Sequence, residues 1–231
     1  MKKLLITLTI LISFPTCVEG RDLFPIDWEQ IEKTTLAYPD SVKSLVARMS
    51  APTIDRTLSW DERRLAVYGQ SVLNENNNYN GSANDATQLY NDKKYKEAIA
   101  SAKEDLDFNP LDVSALITCG KSILKLIEQG DSSYQKSDAD VFFNRAFRIY
   151  NTIATTGDGS KEHPFYVTCV PEEYSFMRYY LDLWDYTSQS LVGQCDVFKL
   201  GETSEYYSEK TIYFDTSRSL SLLVKSLKDN K

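Results

Sequence analysis

The stretch Ala86–Pro110, ATQLYNDKKYKEAIASAKEDLDFNP, decides the fold class of this chain. Its apolar residues recur at helical spacing before and after the polar break Asn91–Lys94, which predicts two helices joined by a tight turn. Asn109-Pro110 ends the second helix, because the residue before a proline is pushed out of the α-helical region. The stretch therefore predicts a helical hairpin.

More helices are predicted on both sides of this hairpin. Apolar residues at helical spacing predict a third helix from Val113 to Ile127 and a fourth from Phe142 to Ile153, with a polar loop at Gln129–Asp140 between them. Upstream, two short helices are predicted around Pro39. Ser59-Trp60-Asp61-Glu62 is a capping-box pattern, which begins a longer helix there. We therefore expect a mainly α protein over its first two thirds.

The hairpin resembles one tetratricopeptide repeat, in which small residues let two helices approach and larger apolar residues fill the gap. The residues that carry this resemblance are Ala86, Leu89, Tyr90, Lys94, Tyr95, Ala98, Ala102, Leu106 and Pro110. A second unit begins at Cys119-Gly120, and the insertion at Gln129–Asp140 then breaks the usual repeat period. The resemblance implies stacked helical hairpins whose concave face holds a protein or peptide segment.

The last third changes from helical to alternating periodicity near Phe165. Strands are predicted at Phe165–Val170 and Thr211–Asp215, and a hairpin at Tyr186–Leu200 that turns near Gly193-Gln194. One helix is predicted from Pro171 to about Leu183, and Ser217 caps a terminal helix with the apolar stripe Leu220, Leu223, Val224 and Leu227. We expect a small antiparallel sheet flanked by helices.

The domain organisation follows from these patterns. Because no Pro/Ser-rich linker stands near residue 165, we expect one mature domain, residues 21–231. Its helical, tetratricopeptide-like part is 21–155 and its α+β appendage is 163–231. The signal segment, the helix with Ala66-Val67-Tyr68-Gly69, the repeat-like core and the strand Ile212–Asp215 together resemble an uncharacterised family of Bacteroides-type exported proteins, a domain of unknown function. That resemblance implies fold and export but no activity.

The N-terminus has the pattern of a secretory signal peptide. Lys2 and Lys3 precede the apolar run Leu4–Phe14, which is too short to span a bilayer, and Pro15 breaks it. Small residues at positions 18 and 20 predict cleavage after residue 20 and a periplasmic or extracellular protein. The alternative is an outer-membrane lipoprotein, in which an acylated Cys17 anchors the chain to a membrane.

Charge and hydropathy exclude two classes of partner. The chain has 26 basic and 33 acidic residues, and removal of residues 1–20 leaves 24 and 32, a net charge of −8. Nucleic acid would be repelled, since no basic patch compensates for this charge. No second long apolar stretch is present, so no membrane span is predicted.

The sequence offers no recognisable catalytic centre, metal site or cofactor motif. His163 lies in a polar loop without a nucleophile motif beside it. Glu172, Glu173, Asp182, Asp185 and Asp196 are possible acids or bases, but acids that open a helix are favoured there by the helix dipole alone. Cys119 is expected to be a buried small apolar residue, whereas Cys169 and Cys195 could form a disulfide.

Two hypotheses about function follow. The first is a non-enzymatic scaffold that binds a protein or peptide in the cell envelope, with exposed Asn91, Lys94 and Lys121 of the repeat helices as candidate contacts. The second is a carbohydrate-binding accessory protein or an envelope hydrolase that uses C-terminal carboxylates and surplus aromatics, with Trp184 as the candidate. A pocket in which two carboxylates converge with Trp184 or a neighbouring tyrosine would favour the second hypothesis.

Overall fold

The computed structural model describes residues 22–76 and 84–229. The predicted signal peptide, its cleavage site and the alternative lipidation at Cys17 lie outside these residues. Within them the protein is mainly helical with a small C-terminal sheet, as the sequence predicts.

Seven helices make up the first part of the described chain. They are α1 Trp28–Ala37, α2 Pro39–Ser50, α3 Trp60–Asn76, α4 Asn84–Asn91, α5 Tyr95–Phe108, α6 Val113–Glu128 and α7 Lys136–Ile153. Helix α6 packs against both α5 and α7, while α2 packs against α3 and α4 against α5.

Side chains at the predicted boundaries begin these helices. Ser59 and Glu62 form the predicted capping box: Ser59 N–H donates to Glu62 Oε2 at 2.7 Å, and Glu62 N–H donates to Ser59 Oγ at 3.2 Å. Asp112 caps α6 by accepting the Ala115 N–H at 2.9 Å. Such contacts satisfy backbone donors that have no partner inside the helix.

One loop is shorter than predicted. Residues Lys136–Asp140 belong to α7, and only Gln129–Gln135 separate it from α6. A capped start explains the difference, since the Asp138 carboxylate accepts the Gln135 N–H at 2.8 Å and the Asp138 N–H donates to the Gln135 backbone carbonyl at 2.9 Å. The polar composition of this segment concealed a capped helix start.

The last third forms a four-stranded sheet with one helix before the hairpin and one at the end. Its elements are β1 Phe165–Tyr166, α8 Val170–Tyr179, β2 Tyr186–Val192, β3 Cys195–Leu200, β4 Thr211–Asp215 and α9 Ser217–Asp229. The strand order is β1-β4-β3-β2. The hairpin turns at Gly193-Gln194 as predicted, but β1 pairs parallel to β4, so the sheet is mixed and the expectation of a wholly antiparallel sheet is wrong.

A shared core joins the helices to the sheet. One cluster of buried apolar side chains runs from α2 to β4. Tyr150 of α7 lies edge-on to Phe176 of α8 at 6.0 Å, and Phe176 in turn meets Phe214 of β4 at 6.2 Å. Tyr68 of α3 donates its hydroxyl to the Tyr166 carbonyl of β1 at 2.8 Å. These contacts fix the position of α8 and the sheet against the helical part.

Candidate binding site

Strand β2 is an open, uncharged edge of the sheet. All seven of its residues are exposed, and no other strand in the described chain pairs with its outer side. Its sequence, YTSQSLV, contains no charged residue and no proline. Proteins usually protect an exposed edge with such residues, because free N–H and C=O groups attract another strand. The edge is therefore open to a pairing partner.

The sheet register shows which backbone groups face outward. Leu200 N–H donates to the Lys210 carbonyl at 2.9 Å, so Leu200 directs its backbone groups toward β4. Because the direction alternates along a strand, Val197 and Cys195 direct theirs toward β2, where they oppose Ser190 and Val192. The residues between, Gln189 and Leu191, direct their N–H and C=O groups to the open edge.

Trp184 stands just before this strand, beside a shallow pocket. The residue is 52% exposed, and its Nε1–H donates to Asp182 Oδ1 at 2.7 Å. Asp182 has a φ of 52°, a conformation that non-glycine residues adopt at a cost and that recurs at binding sites. The pocket is lined by Tyr174, Met177, Arg178, Leu183, Trp184, Asp185, Tyr186 and Leu200. It is a mainly apolar depression at one end of the open edge.

Lys121 connects the helical part to Trp184. Its Nζ lies 4.4 Å from the centroid of the Tyr90 ring and donates to the Tyr179 hydroxyl at 3.4 Å. Tyr179 in turn lies edge-on to Trp184, with the ring centroids 5.8 Å apart. We call Tyr90, Lys121, Tyr179 and Trp184 the aromatic ridge. The half-buried Lys121 holds this ridge together, whereas the sequence analysis expected a solvent-facing contact residue.

The other two candidates lie at the α4–α5 turn. Asn91 ends α4 directly after Tyr90, and Lys94 occupies the N-cap position of α5; both are exposed. Their chain neighbours Tyr90 and Tyr95 have ring centroids 5.6 Å apart. The structure thus brings Lys121 and Trp184 together through Tyr179, and it places Asn91 and Lys94 beside the far end of the ridge.

A polar network runs behind β2 to Glu173, a buried acid. The sequence analysis explained the position of this acid at a helix start by the helix dipole alone. Tyr174 donates its hydroxyl to Gln189 Oε1 at 2.6 Å, and Gln189 Nε2 donates to Asp196 Oδ2 at 2.5 Å. Asp196 faces Glu173 of α8, which has no exposed surface. No donor in the described chain reaches either carboxyl oxygen of Glu173.

Burial raises the pKa of both acids at the start of α8. Loss of water, followed by the charge of Asp196, raises the pKa of Glu173 to about 9, so this carboxyl is protonated at neutral pH. Burial also raises the pKa of Glu172, to about 7, against the opposing hydrogen bond that its Oε2 accepts from the Thr168 N–H at 2.6 Å. The protonated Glu173 has an O–H with which to donate to Asp196.

This arrangement does not have the layout of a catalytic site. Glu173 is closed to solvent, and the carboxylate in the Trp184 pocket is Asp185, so two carboxylates do not converge in that pocket. His163 is exposed on a loop. The described residues contain no group of three His, Cys, Asp or Glu side chains placed to hold a metal ion.

The cysteines do not pair in the structure. Cys119 is buried in α6, as expected, and burial raises the pKa of its thiol to about 12. Cys169 precedes α8 and Cys195 begins β3, and both are free thiols. The Cys169–Cys195 disulfide that the sequence leaves possible is not present in the structure.

The sequence analysis missed two features, the burial of Glu173 and the open edge at β2, although the sequence contained a signal for each. Phe176 and Met177 follow Glu173 by three and four residues, which places this acid on the same, buried face of α8. The lack of charge and proline in Tyr186–Val192 indicated an unprotected edge. That β2 lies at the edge could not be predicted, because it depends on the pairing of β1 with β4.

The fold and this site define a mainly helical α+β protein with an open sheet edge beside an aromatic ridge. The chain belongs to a family defined by a domain of unknown function, DUF4919, whose model matches residues 30–225. The expected resemblance to a domain of unknown function is thereby confirmed. No curated protein and no solved structure gives a significant match. Within residues 22–76 and 84–229, no helix combines the length and apolarity needed to cross a membrane.

Proposed function

We propose that this protein is an exported, non-enzymatic binding module of the cell envelope that takes up an extended segment of a partner protein as an added strand beside β2. The observation that carries the proposal is the open, uncharged edge. Outward N–H and C=O groups of Gln189 and Leu191 would pair with the backbone of the partner segment. Affinity in this mode comes from main-chain hydrogen bonds, which need no particular partner sequence.

The Trp184 pocket supplies the selectivity of this mode. It lies at the start of β2, so one apolar side chain of the added strand would lie against the exposed Trp184 ring while the neighbouring side chain points away. Lys121 acts indirectly here, because it positions Tyr179 and through it Trp184. Asn91 and Lys94 would contact a partner that continues along the aromatic ridge.

The experiment separates backbone pairing from side-chain contact at one position. A photo-crosslinking amino acid at Val192 identifies the partner and its bound segment in envelope extract, with the same group at exposed Lys33 of α1 as control. Binding of the corresponding synthetic peptide is then titrated with two variants. Leu191→Pro removes the outward N–H, whereas Leu191→Thr keeps it and retains strand propensity.

We expect Leu191→Pro to weaken peptide binding by roughly tenfold or more, because the variant removes one hydrogen bond to the peptide and disturbs the adjacent one. Leu191→Thr should stay within about threefold of the parent. Equal losses in the two variants, or no loss in either, would show that the edge does not pair. Circular dichroism and thermal melts establish that both variants are folded.

Carbohydrate binding is the second candidate, and the exposed, anchored ring of Trp184 is the observation in its favour. Because its Nε1–H is already used by Asp182, the ring face is the part that remains for a ligand, as in a sugar-stacking platform. A glycan array decides between the two. A sugar signal that is lost in Trp184→Ala but kept in Lys94→Ala and Leu191→Pro, with no crosslinked protein, would replace the peptide proposal.

Location in the envelope rests on the predicted signal peptide. The mass of the exported product tests it. We expect a chain that begins at residue 21; a product that begins at Cys17 with added acyl mass would make the protein a lipoprotein.

A further inference from the structure

Helix α9 turns its apolar stripe away from the protein. Leu223, Val224 and Leu227 are 55%, 50% and 60% exposed, and Leu220 of the same stripe is half-buried. These residues are spaced three and four apart, so they form one continuous apolar face. A surface helix usually directs such a face into the core. In α9 it is directed to solvent.

The opposite, polar face attaches α9 to α3. Arg218, itself 7% exposed, donates from Nη2 to Glu75 Oε2 at 2.6 Å and to the Ser71 carbonyl at 3.3 Å. Lys225 pairs with the other oxygen of the same carboxylate. These contacts fix the rotation of the helix about its axis, so the outward direction of the stripe is a consequence of the fold.

The charge of α9 is opposite to that of the whole chain. Helix α9, Ser217–Asp229, contains three cations, Arg218, Lys225 and Lys228, and one acid, Asp229, so its net charge is +2, whereas the whole chain carries −7. Lys225 and Lys228 line a groove together with Leu220 and Val224 of the stripe. An apolar stripe with cations along one side is the pattern of a helix that lies in the surface of an anionic bilayer.

A second copy of the chain fits this face less well. Pairing two stripes of this length removes on the order of 600 Å² from solvent, whereas a stable specific interface needs roughly 1,000 Å² or more. The pairing would also bring the lysines of the two copies toward each other. A lipid surface requires no complementary shape, and its phosphates match the lysines in charge.

We infer that α9 docks the protein reversibly on an anionic phospholipid surface. The stripe Leu220, Leu223, Val224 and Leu227 enters the boundary between headgroups and acyl chains, and Lys228 beside it lies at the level of the phosphates, while Lys225 stays paired with Glu75. The helix lies along the surface and does not span the bilayer. This docking is separate from peptide uptake at β2, and the variants below leave β2 unchanged so that the two proposals can fail independently.

The test is flotation of the full mature chain, residues 21–231, with vesicles of phosphatidylcholine containing 30% phosphatidylglycerol (roughly the anionic fraction such assays use) and with vesicles of phosphatidylcholine alone. The main variant is Leu223→Ser/Leu227→Ser, and Lys228→Glu tests the charge. The control is Leu36→Ser on α1, an equally exposed leucine at 54%. Thermal melts verify folding of each variant.

We expect the parent to bind the anionic vesicles and the double serine variant to lose about tenfold or more in apparent affinity. Lys228→Glu and the neutral vesicles should each weaken binding several-fold, and Leu36→Ser should leave it unchanged. Absence of vesicle binding by the parent, or equal effects of the double variant and Leu36→Ser, would overturn the inference. So would a dimer, seen by analytical ultracentrifugation, that the double variant dissociates while vesicle binding persists.

Discussion

The carboxyl of Glu173 keeps its proton at neutral pH, because burial and then the charge of Asp196 raise its pKa from 4.5 to about 9. In the unfolded chain the same group ionises near its ordinary value. Between those two values the folded state binds more protons than the unfolded state, so stability falls as the pH rises through this window. At pH well below 4.5 both states are protonated and this loss disappears.

Glu173→Gln should therefore stabilise the protein, and the gain should grow with pH. The amide keeps the shape and one donor toward Asp196 but cannot ionise. Relative to the parent, we expect an increase in unfolding free energy of about 3 kcal/mol at neutral pH, and little difference at pH 4. Urea unfolding at several pH values measures this difference. A gain independent of pH would show that Glu173 does not titrate in this range.

Gly157 is a residue at which the structure tolerates no side chain. A Cβ there would lie 2.1 Å from the Pro164 carbonyl oxygen and 2.5 Å from the His163 carbonyl oxygen, and these backbone atoms cannot move aside as a side chain can. Gly157→Ala should lower the unfolding free energy by at least about 2 kcal/mol. Gly201→Ala is the control, since the atom nearest to its added Cβ would be 3.6 Å away. Thermal melts of the two variants should differ clearly. Equal melting temperatures would show that the site at Gly157 is not crowded.

Single residues were predicted well where a local rule governs them. The capping box at Ser59 and the burial of Cys119 depend on neighbours within the same helix, and both are confirmed. Glu173 depends on two rules that compete, since an acid at a helix start suits the dipole while its face of α8 is buried. The position of Lys121 depends on α8, which lies far away in sequence, and no local pattern indicated it.

Among the elements, α7 stabilises α2 through one arginine. The Arg148 guanidinium is buried and donates to the carbonyls of Met49 and Pro52 at 3.1 and 3.0 Å, and also to that of Ala51. The last carbonyls of a helix have no partner within it, so Arg148 supplies the C-terminal cap that α2 lacks.

Arg148→Lys should destabilise the protein by about 2 to 3 kcal/mol, because one ammonium cannot reach three carbonyls in different directions. Chemical unfolding measures the change. Lys43→Ala on the exposed face of α2 is the control and should have almost no effect. If Arg148→Lys were equally harmless, water would satisfy these carbonyls and the arginine would be replaceable.

Long helices and the hairpin were predictable as elements, while the sheet as a whole was not. Helical spacing located α3, α5 and α6, and the Gly193-Gln194 turn located β2 and β3. Strand β1 has two residues and exists because β4 arrives beside it from a distant part of the chain, so the predicted strand to Val170 was too long. The amphipathic pattern of α9 was found, but which way its stripe faces depends on Glu75 of α3.

For the whole molecule, the structure places the helical part and the sheet around one core, and we expect them to fold as one unit. Separating them would expose Tyr150 of α7 and break the hydrogen bond from Tyr68 to Tyr166. A fragment of residues 21–155, expressed alone, should therefore be sensitive to protease and show no cooperative melt, unlike the mature chain. A stable, protease-resistant product of that size, released from the full chain, would instead show two independent domains.

The parallel pairing of β1 with β4 sets an order of events during synthesis. A ribosome releases Phe165 and Phe176 well before Phe214, the residue that meets both rings in the finished sheet. In the interval the residues of α1 to α8 have been made, but Phe214, which packs against both rings, has not. Premature termination before Thr211 would remove β4 and leave the Phe165 and Phe176 rings permanently uncovered, so a nonsense mutation even at this late point should prevent the sheet from forming.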